Sequence, residues 1–432
     1  MTDLAVTGGR IFDPGQDLDH IGSVLISDGV ITGIEDTDGV RRRSRAQPPP
    51  TSPAPFTAGG RPWRGTGRWA GGRGGVWGGR PPGASTAGRP PEATQIDASG
   101  LIITPGLVDL HTHLYTGVSH YGIDADTFCL GRGVTTAVDA GSSGAQTFPG
   151  LRRYVIEPAR TRILAFLHIA VQGMITNLLG ELEDLRWASV AQAVARAREH
   201  PDVIVGIKVR LGYQMVGDDP APAMRLAREA ADTLGLPLMV HVIDMRPPIS
   251  WLLPYLGRGD IVTHCFHGNE GGILDANGVL FPEVLQARER GVRFDIGHGV
   301  GSFSYQVARR AIAQGFAPDT ISSDLHAHNV HGPAFDQATT LSKLLHTGLG
   351  LPGVIRASTA TPALAAGRAD RIGALAPGRE ADLAGFELRS GHWALPDAAG
   401  ATEVVEQLLV PRLVVRAGSV QRLDPDPDPV RR

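Results

Sequence analysis

Leu101-Ile-Ile-Thr-Pro-Gly-Leu-Val-Asp-Leu-His-Thr-His113 is an apolar run that ends in His-x-His. Such a run reads as a buried strand bringing two imidazoles, one residue apart, to its C-terminal mouth. Two ring nitrogens begin a metal site without completing it, because a zinc-type ion takes three or four ligands. The rest of the chain must supply the others.

Outward from this stretch, residues 101 to about 363 repeat one pattern. Eight apolar strand candidates lie at 101–111, 134–139, 162–167, 203–208, 237–241, 260–264, 292–296 and 320–324. Amphipathic spacing predicts helices between them, for example over 190–198, 223–234, 282–290 and 305–315. Eight such units in a row predict an α/β fold, a (β/α)8 TIM-type barrel. A barrel of this kind carries its active site at the C-terminal ends of its strands. Those ends hold His111 and His113, then Lys208, His241, His264 and Asp324. Each alone is weak, but five of eight strands deliver ligand-type side chains where a barrel converges.

Lysine is the odd member of that set. The 432-residue chain has lysine only at positions 208 and 343. An ammonium cannot ligate a metal, whereas a desolvated lysine loses its proton. The neutral amine adds CO2 to form a carbamate, a carboxylate-like group able to bridge two ions.

The flanks read differently. Residues 1–40 alternate apolar and polar positions around turn signals and predict short antiparallel strands. Residues 366–423 return to short β segments. The two predict one composite β-sandwich, since neither has enough strands alone. Between residues 1–40 and the barrel (96–365) lies an Arg/Gly/Pro insert at 41–95, with Trp63, Trp69 and Trp77 and almost no aliphatic residues. It cannot bury enough apolar surface to order itself and is expected to be disordered, as an insertion or a frame-shifted segment. Its flanks read as joinable by a short turn. An Arg/aromatic segment that binds single strands is the functional alternative for it. The tail, 424–432, is also expected to be disordered.

Composition sets the remaining bounds. Hydrophobic residues make up 42% and the formal charge is -3. No apolar stretch of about 18 residues suggests a membrane span, no basic-then-apolar leader is visible, and two cysteines, Cys129 and Cys265, are too few for a disulfide framework. A cytoplasmic enzyme is the expectation, with no membrane or nucleic-acid partner; a homo-oligomer is left open.

Pro105-Gly-Leu-Val-Asp-Leu-His-Thr-His113, Gly133-Val-Thr-Thr136, Gly206-Ile-Lys-Val-Arg210, Val240-His241, Thr263-His264 and Ser322-Ser-Asp324 together resemble the amidohydrolase superfamily of metal-dependent hydrolases. Ala140-Gly-Ser-Ser-Gly-Ala145, Gly297-His-Gly-Val-Gly-Ser-Phe303 and Ser322-Ser-Asp-Leu-His326 are similar to its deacetylase-like, or dihydroorotase-like, branch. The resemblance implies two divalent ions, zinc in most members. His111, His113 and Asp324 would hold one, His241 and His264 the other, with carboxylated Lys208 between. It also implies a bridging hydroxide as nucleophile and Asp324 as catalytic base and then acid. Dihydroorotases commonly place an arginine two positions after the second histidine, where this chain has Tyr115. Related D-aminoacylases commonly place cysteine where this chain has Lys208.

The expected activity is therefore cleavage of an amide or ester in a small acylated acid, such as an N-acetyl amino acid or O-acetyl hydroxy acid. Cyclic-amide hydrolysis of the dihydroorotase or hydantoinase kind is the alternative within the class. A metal-free barrel scaffold, or nucleic-acid binding through the insert, are the alternatives outside it. Substrate contacts are expected from His298, Arg210 and Tyr115; Arg210 alternatively forms a salt bridge at the barrel rim. His267, His326, His328 and His331 belong to the surroundings, and both cysteines are read as structural.

Overall fold

A computed structural model of the chain describes residues 3–37, 93–176, 178–421 and 423. The predicted insert, save its last three residues, and the predicted tail lie outside them.

The opening stretch is divided between two sheets. Ile102–Pro105 (β5) joins a sheet built from both ends of the chain, and Leu107–Thr112 (β6) begins the barrel. Gly106 between them lies against Thr135, whose Oγ1 would sit 2.2 Å from an added Cβ. No larger residue fits that close approach.

In the first sheet, β1 (Leu4–Asp13) pairs antiparallel with β2 (Leu18–Ser27), and β2 with β3 (Val30–Asp36). On its other side β1 pairs in parallel with β4 (Thr94–Asp97) and β5. The sheet continues through β13 (Leu383–Pro396), β14 (Thr402–Arg416) and β15 (Ser419–Val420). The composite domain predicted from the two termini thus exists, with a long β13–β14 hairpin in place of short segments. Its core gathers Val6, Ile11, Val24, Ile31, Ile103, Leu383 and Val415, all nearly inaccessible to water. Burying each stabilises the domain by roughly 1.5–3 kcal/mol.

Two expectations about the insert's edges are corrected. β4 begins at Thr94, inside the range assigned to the insert. β3 and β4 both run parallel to β1 and are separated by β1 and β2. A short turn cannot join parallel strands, which need a crossover of a dozen residues or more.

The second sheet runs β6 to β12 in sequence order, all parallel: β7 (Val134–Gly144), β8 (Arg162–His168), β9 (Ile204–Arg210), β10 (Leu238–His241), β11 (Ile261–Thr263) and β12 (Arg293–Asp295). Helices Val190–Glu199, Ala221–Leu234, Pro282–Glu289 and Tyr305–Ala313 fall where amphipathic spacing places them. The predicted eighth strand is irregular. Residues 320–325 form only two parallel bridges, Asp295 to Thr320 and Thr112 to Leu325, but these close the ring. A positive φ of 47° at Asp324 breaks the regular strand there. Leu110, Val138, Phe166, Val205, Met239 and Ile261 come from six successive strands and form one cluster, as expected for the filled interior of a barrel. Among the described residues no helix is long and apolar enough to cross a membrane.

Candidate metal centre

His111 is the penultimate residue of β6, Lys208 lies near the end of β9, His241 ends β10, and His264 follows β11 directly. Asp324 lies on the closing segment. Ligand atoms of His111, His113 and Asp324 all fall within 4.8 Å of one another, a grouping that could hold a metal ion. Asp324 Oδ1 is 3.1 Å from His113 Nε2 and 3.4 Å from His111 Nε2. On the other side Lys208 Nζ is 3.3 Å from His111 Nε2. The His264 ring packs 5.0 Å from that of His111 and 4.4 Å from that of His241, centroid to centroid.

The hydrogen bonds behind these rings determine which nitrogen faces inward. Thr263 donates its single hydroxyl proton to Asp295 Oδ2, 2.8 Å away, so its oxygen accepts from His111 Nδ1 at 2.9 Å. His264 Nδ1 donates to Gly297 O at 2.7 Å. Each ring therefore carries its proton on Nδ1 and presents the Nε2 lone pair to the centre. His264 Nε2 is buried with no hydrogen-bond partner. A buried lone pair without a donor is costly unless a cation meets it. Burial also holds these imidazoles neutral, lowering His113 and His264 to about 3 and His111 and His241 well below the usual histidine range. Neutral imidazole is the form that ligates. The donor set thus fits a divalent ion.

Lys208 is fully buried, and desolvation pushes its ammonium down to about 7, with Asp324 pulling the other way. The fold makes room for it at Gly141 (φ +97°), where an added Cβ would lie 2.7 Å from Lys208 Cγ. His264 (φ 71°) and Asp324 (φ 47°) both adopt left-handed backbone. Non-glycine residues in that region store about 1–3 kcal/mol, tolerated where surrounding contacts over-determine them.

The model of the family described as "Amidohydrolase family" matches residues 102–420. The chain belongs to the amidohydrolase family. A deacetylase of Agrobacterium fabrum is 38% identical to it over 327 residues, covering 76% of this chain and 80% of its own length. A deacetylase of Brucella anthropi is 37% identical over 327 residues, covering 76% and 81%. Among solved structures, a dihydroorotase aligns with TM-score 0.79 at 31% identity over 98% of both chains, and an adenine deaminase with TM-score 0.79 at 26% identity over 97% and 99%. The amidohydrolase is thus a hydrolase acting on carbon–nitrogen bonds, with relatives in the deacetylase and dihydroorotase-like branch.

The three residues expected to touch substrate are as buried as the ligand candidates, and each makes polar contacts within the fold. Arg210 is buried, and its guanidinium makes a two-pronged ion pair with Glu181, Nε to Oε1 at 2.5 Å and Nη2 to Oε2 at 2.8 Å. This is the salt-bridge alternative, placed deeper than the rim. His298 is buried with both ring nitrogens engaged, Nδ1 by Gly299 O at 3.0 Å and Nε2 by Lys343 Nζ at 2.9 Å. Tyr115 packs in the core beside Phe148 and Leu151 and donates its hydroxyl to Thr147 O at 2.9 Å. Of the four surrounding histidines, His326 places its ring 6.1 Å from that of His113. Cys129 and Cys265 are free, buried thiols.

Several residues of the amidohydrolase site carry no strong sequence signal. His168 ends β8, and its Nε2 lies 3.2 Å from Glu181 Oε1, which makes Glu181 the shared partner of two strand ends. Burial pushes the Glu181 carboxyl up, but Arg210 and His168 together outweigh it and hold the group well below the usual range. Removing one partner of such a buried pair costs about 3–5 kcal/mol. Arg210→Met is therefore expected to lower the unfolding free energy, read from urea titration, by that amount, and an unchanged value would contradict the pairing. Asp295 accepts from Thr320 Oγ1 (2.6 Å), Ser322 Oγ (2.7 Å) and Thr263 Oγ1, while Asp109 accepts from Ser323 N at 3.0 Å. These two buried carboxylates bind the closing segment to the ring beneath the ligands.

Proposed function

We propose that this amidohydrolase is a deacetylase that removes the acyl group from a small acylated acid, an N-acetyl amino acid or an O-acetyl hydroxy acid. The observation that carries the proposal is the convergence of His111, His113 and Asp324 with fully buried Lys208 at the mouth of one barrel. The deacetylase names of relatives at 37% and 38% identity support the choice of reaction.

Two divalent ions, zinc by the character of the donors, would supply an activated water and polarise the scissile carbonyl. His111, His113 and Asp324 would hold one; His241 and His264 the other; Lys208, as its carbamate, would lie between. The remaining work belongs to the chain. Asp324 takes the proton from the attacking water and returns it to the leaving nitrogen or oxygen, as base and then acid. Burial raises its carboxyl, while His264, His326, Lys208 and Arg210 draw it back down. Thr263 and Gly297 O hold the two imidazoles in the inward-facing tautomer throughout.

The test is a hydrolysis screen of N-acetyl-D- and L-amino acids, O-acetyl hydroxy acids and cyclic imides with zinc-loaded protein. Turnover of one acylated acid well above the cyclic imides is the expected result. Preference for a cyclic imide would favour the dihydroorotase-like reading, which the structural likeness to a dihydroorotase supports. No turnover of any class would overturn both.

A further inference from the structure

We propose that Lys343 is a positioning residue of the active site, acting through His298 on the loop that holds His264 and borders Asp324. The inference rests on the reading of the barrel mouth as a metal centre.

Lys343 lies on the helix Gln337–His346 and is completely buried. Its ammonium has three donors and meets three acceptors: His298 Nε2 at 2.9 Å, Pro333 O at 2.6 Å and Pro396 O at 2.7 Å. That is full satisfaction for a lysine. Because the ammonium can only donate, His298 Nε2 must be the accepting nitrogen. The ring proton is then on Nδ1, where it meets Gly299 O at 3.0 Å. Gly299 O and Lys343 thus agree on the tautomer, Lys343 holds the ring's orientation from its other side, and Phe303 stacks on the ring with centroids 4.8 Å apart.

The loop fixed this way touches the centre at two points. Gly297 O receives the Nδ1 proton of His264, which leaves that ring's Nε2 facing inward. Gly299 approaches Asp324 so closely that an added Cβ would lie 2.6 Å from Oδ2. Between them the loop is tied to the closing segment by His298 N to Ser322 O at 3.2 Å, Gly299 N to Ser323 O at 3.1 Å, and Gly297 N to Ser322 Oγ at 3.0 Å. A loop so anchored moves as a unit, and displacement of His298 shifts the partner of His264. Burial lowers the Lys343 ammonium to about 7, with Asp397 and Asp336 drawing it back up. A lysine that served only to tie the end of β13 to the barrel would need Pro396 O alone.

The experiment compares zinc affinity, by chelator competition, and kcat and KM for wild type, Lys343→Met, His298→Ala and the double variant. Loss of an outer-shell partner typically costs about 10–100-fold in metal affinity or activity. Each single variant is expected to weaken one of two bound ions by that factor and to lower kcat with KM nearly unchanged. The double variant is expected to lose no more than the worse single, because both act through one ring. Losses that multiply in the double variant, or full zinc affinity in Lys343→Met, would overturn the proposal. If Lys343→Met does not fold, His298→Ala decides by the same two measures, with wild-type zinc affinity as the overturning result. Wild-type protein that binds no zinc would instead overturn the metal-centre reading beneath it.

Discussion

Lys208→Ala is expected to lose well over 100-fold in kcat and to fall short of full metal loading. Outer-shell residues of metal sites already cost 10–100-fold, and a group between two ions does more. The geometry sharpens the expectation, since Lys208 is wholly buried and 3.3 Å from the inward nitrogen of His111. As a protonated ammonium it would repel a cation there; as a carbamate it would bridge two. Two further arms separate these states. Acetate or propionate, entering the space the side chain leaves, is expected to restore part of the activity of Lys208→Ala. Loading of metal-free wild type with zinc and bicarbonate is expected to rise with pH. Burial brings Lys208 to about 7, so the amine that adds CO2 is scarce below that pH and abundant above it. Full turnover and full loading in Lys208→Ala would rule the bridge out.

Asp324→Asn carries the second large expected effect, a kcat lower by roughly 10²–10⁴-fold, the usual contribution of a positioned acid–base group. The amide keeps the shape but cannot take a proton. Steady-state kinetics on the best acylated acid from the screen checks it, with near-native circular dichroism as the control. A loss under tenfold would assign the proton transfers to another group, of which His326 is the nearest neighbour in sequence.

What was legible beforehand follows from geometry that sequence encodes directly. A closed parallel barrel brings the C-terminal strand ends together, so His111, His113, Lys208, His241, His264 and Asp324 could be gathered by position alone. Lys208 stood out because lysine is so scarce. The features that escaped notice are those whose partners are set by loops. Glu181 lies in an aperiodic segment after β8, and nothing nearby in sequence announces Arg210 and His168 as its partners. Lys343 is buried against His298, a partner 45 residues away that nothing near it in sequence indicates. His298, in the loop after the seventh strand, and Arg210, two beyond Lys208 with the same strand parity, read as candidates for substrate contact, with a salt bridge the alternative for Arg210; which hydrogen bonds such a group makes is decided by distant residues. The parallel, non-adjacent placement of β3 and β4 was hidden for the same reason, since strand order is not written in strand propensity.

The most direct test of the metal centre is elemental analysis of the purified, zinc-reconstituted protein beside His111→Ala and His264→Ala. Two zinc ions per chain in the wild type, with fewer in each variant, is the predicted result. No stoichiometric metal in the wild type, or the same content in all three, would contradict it.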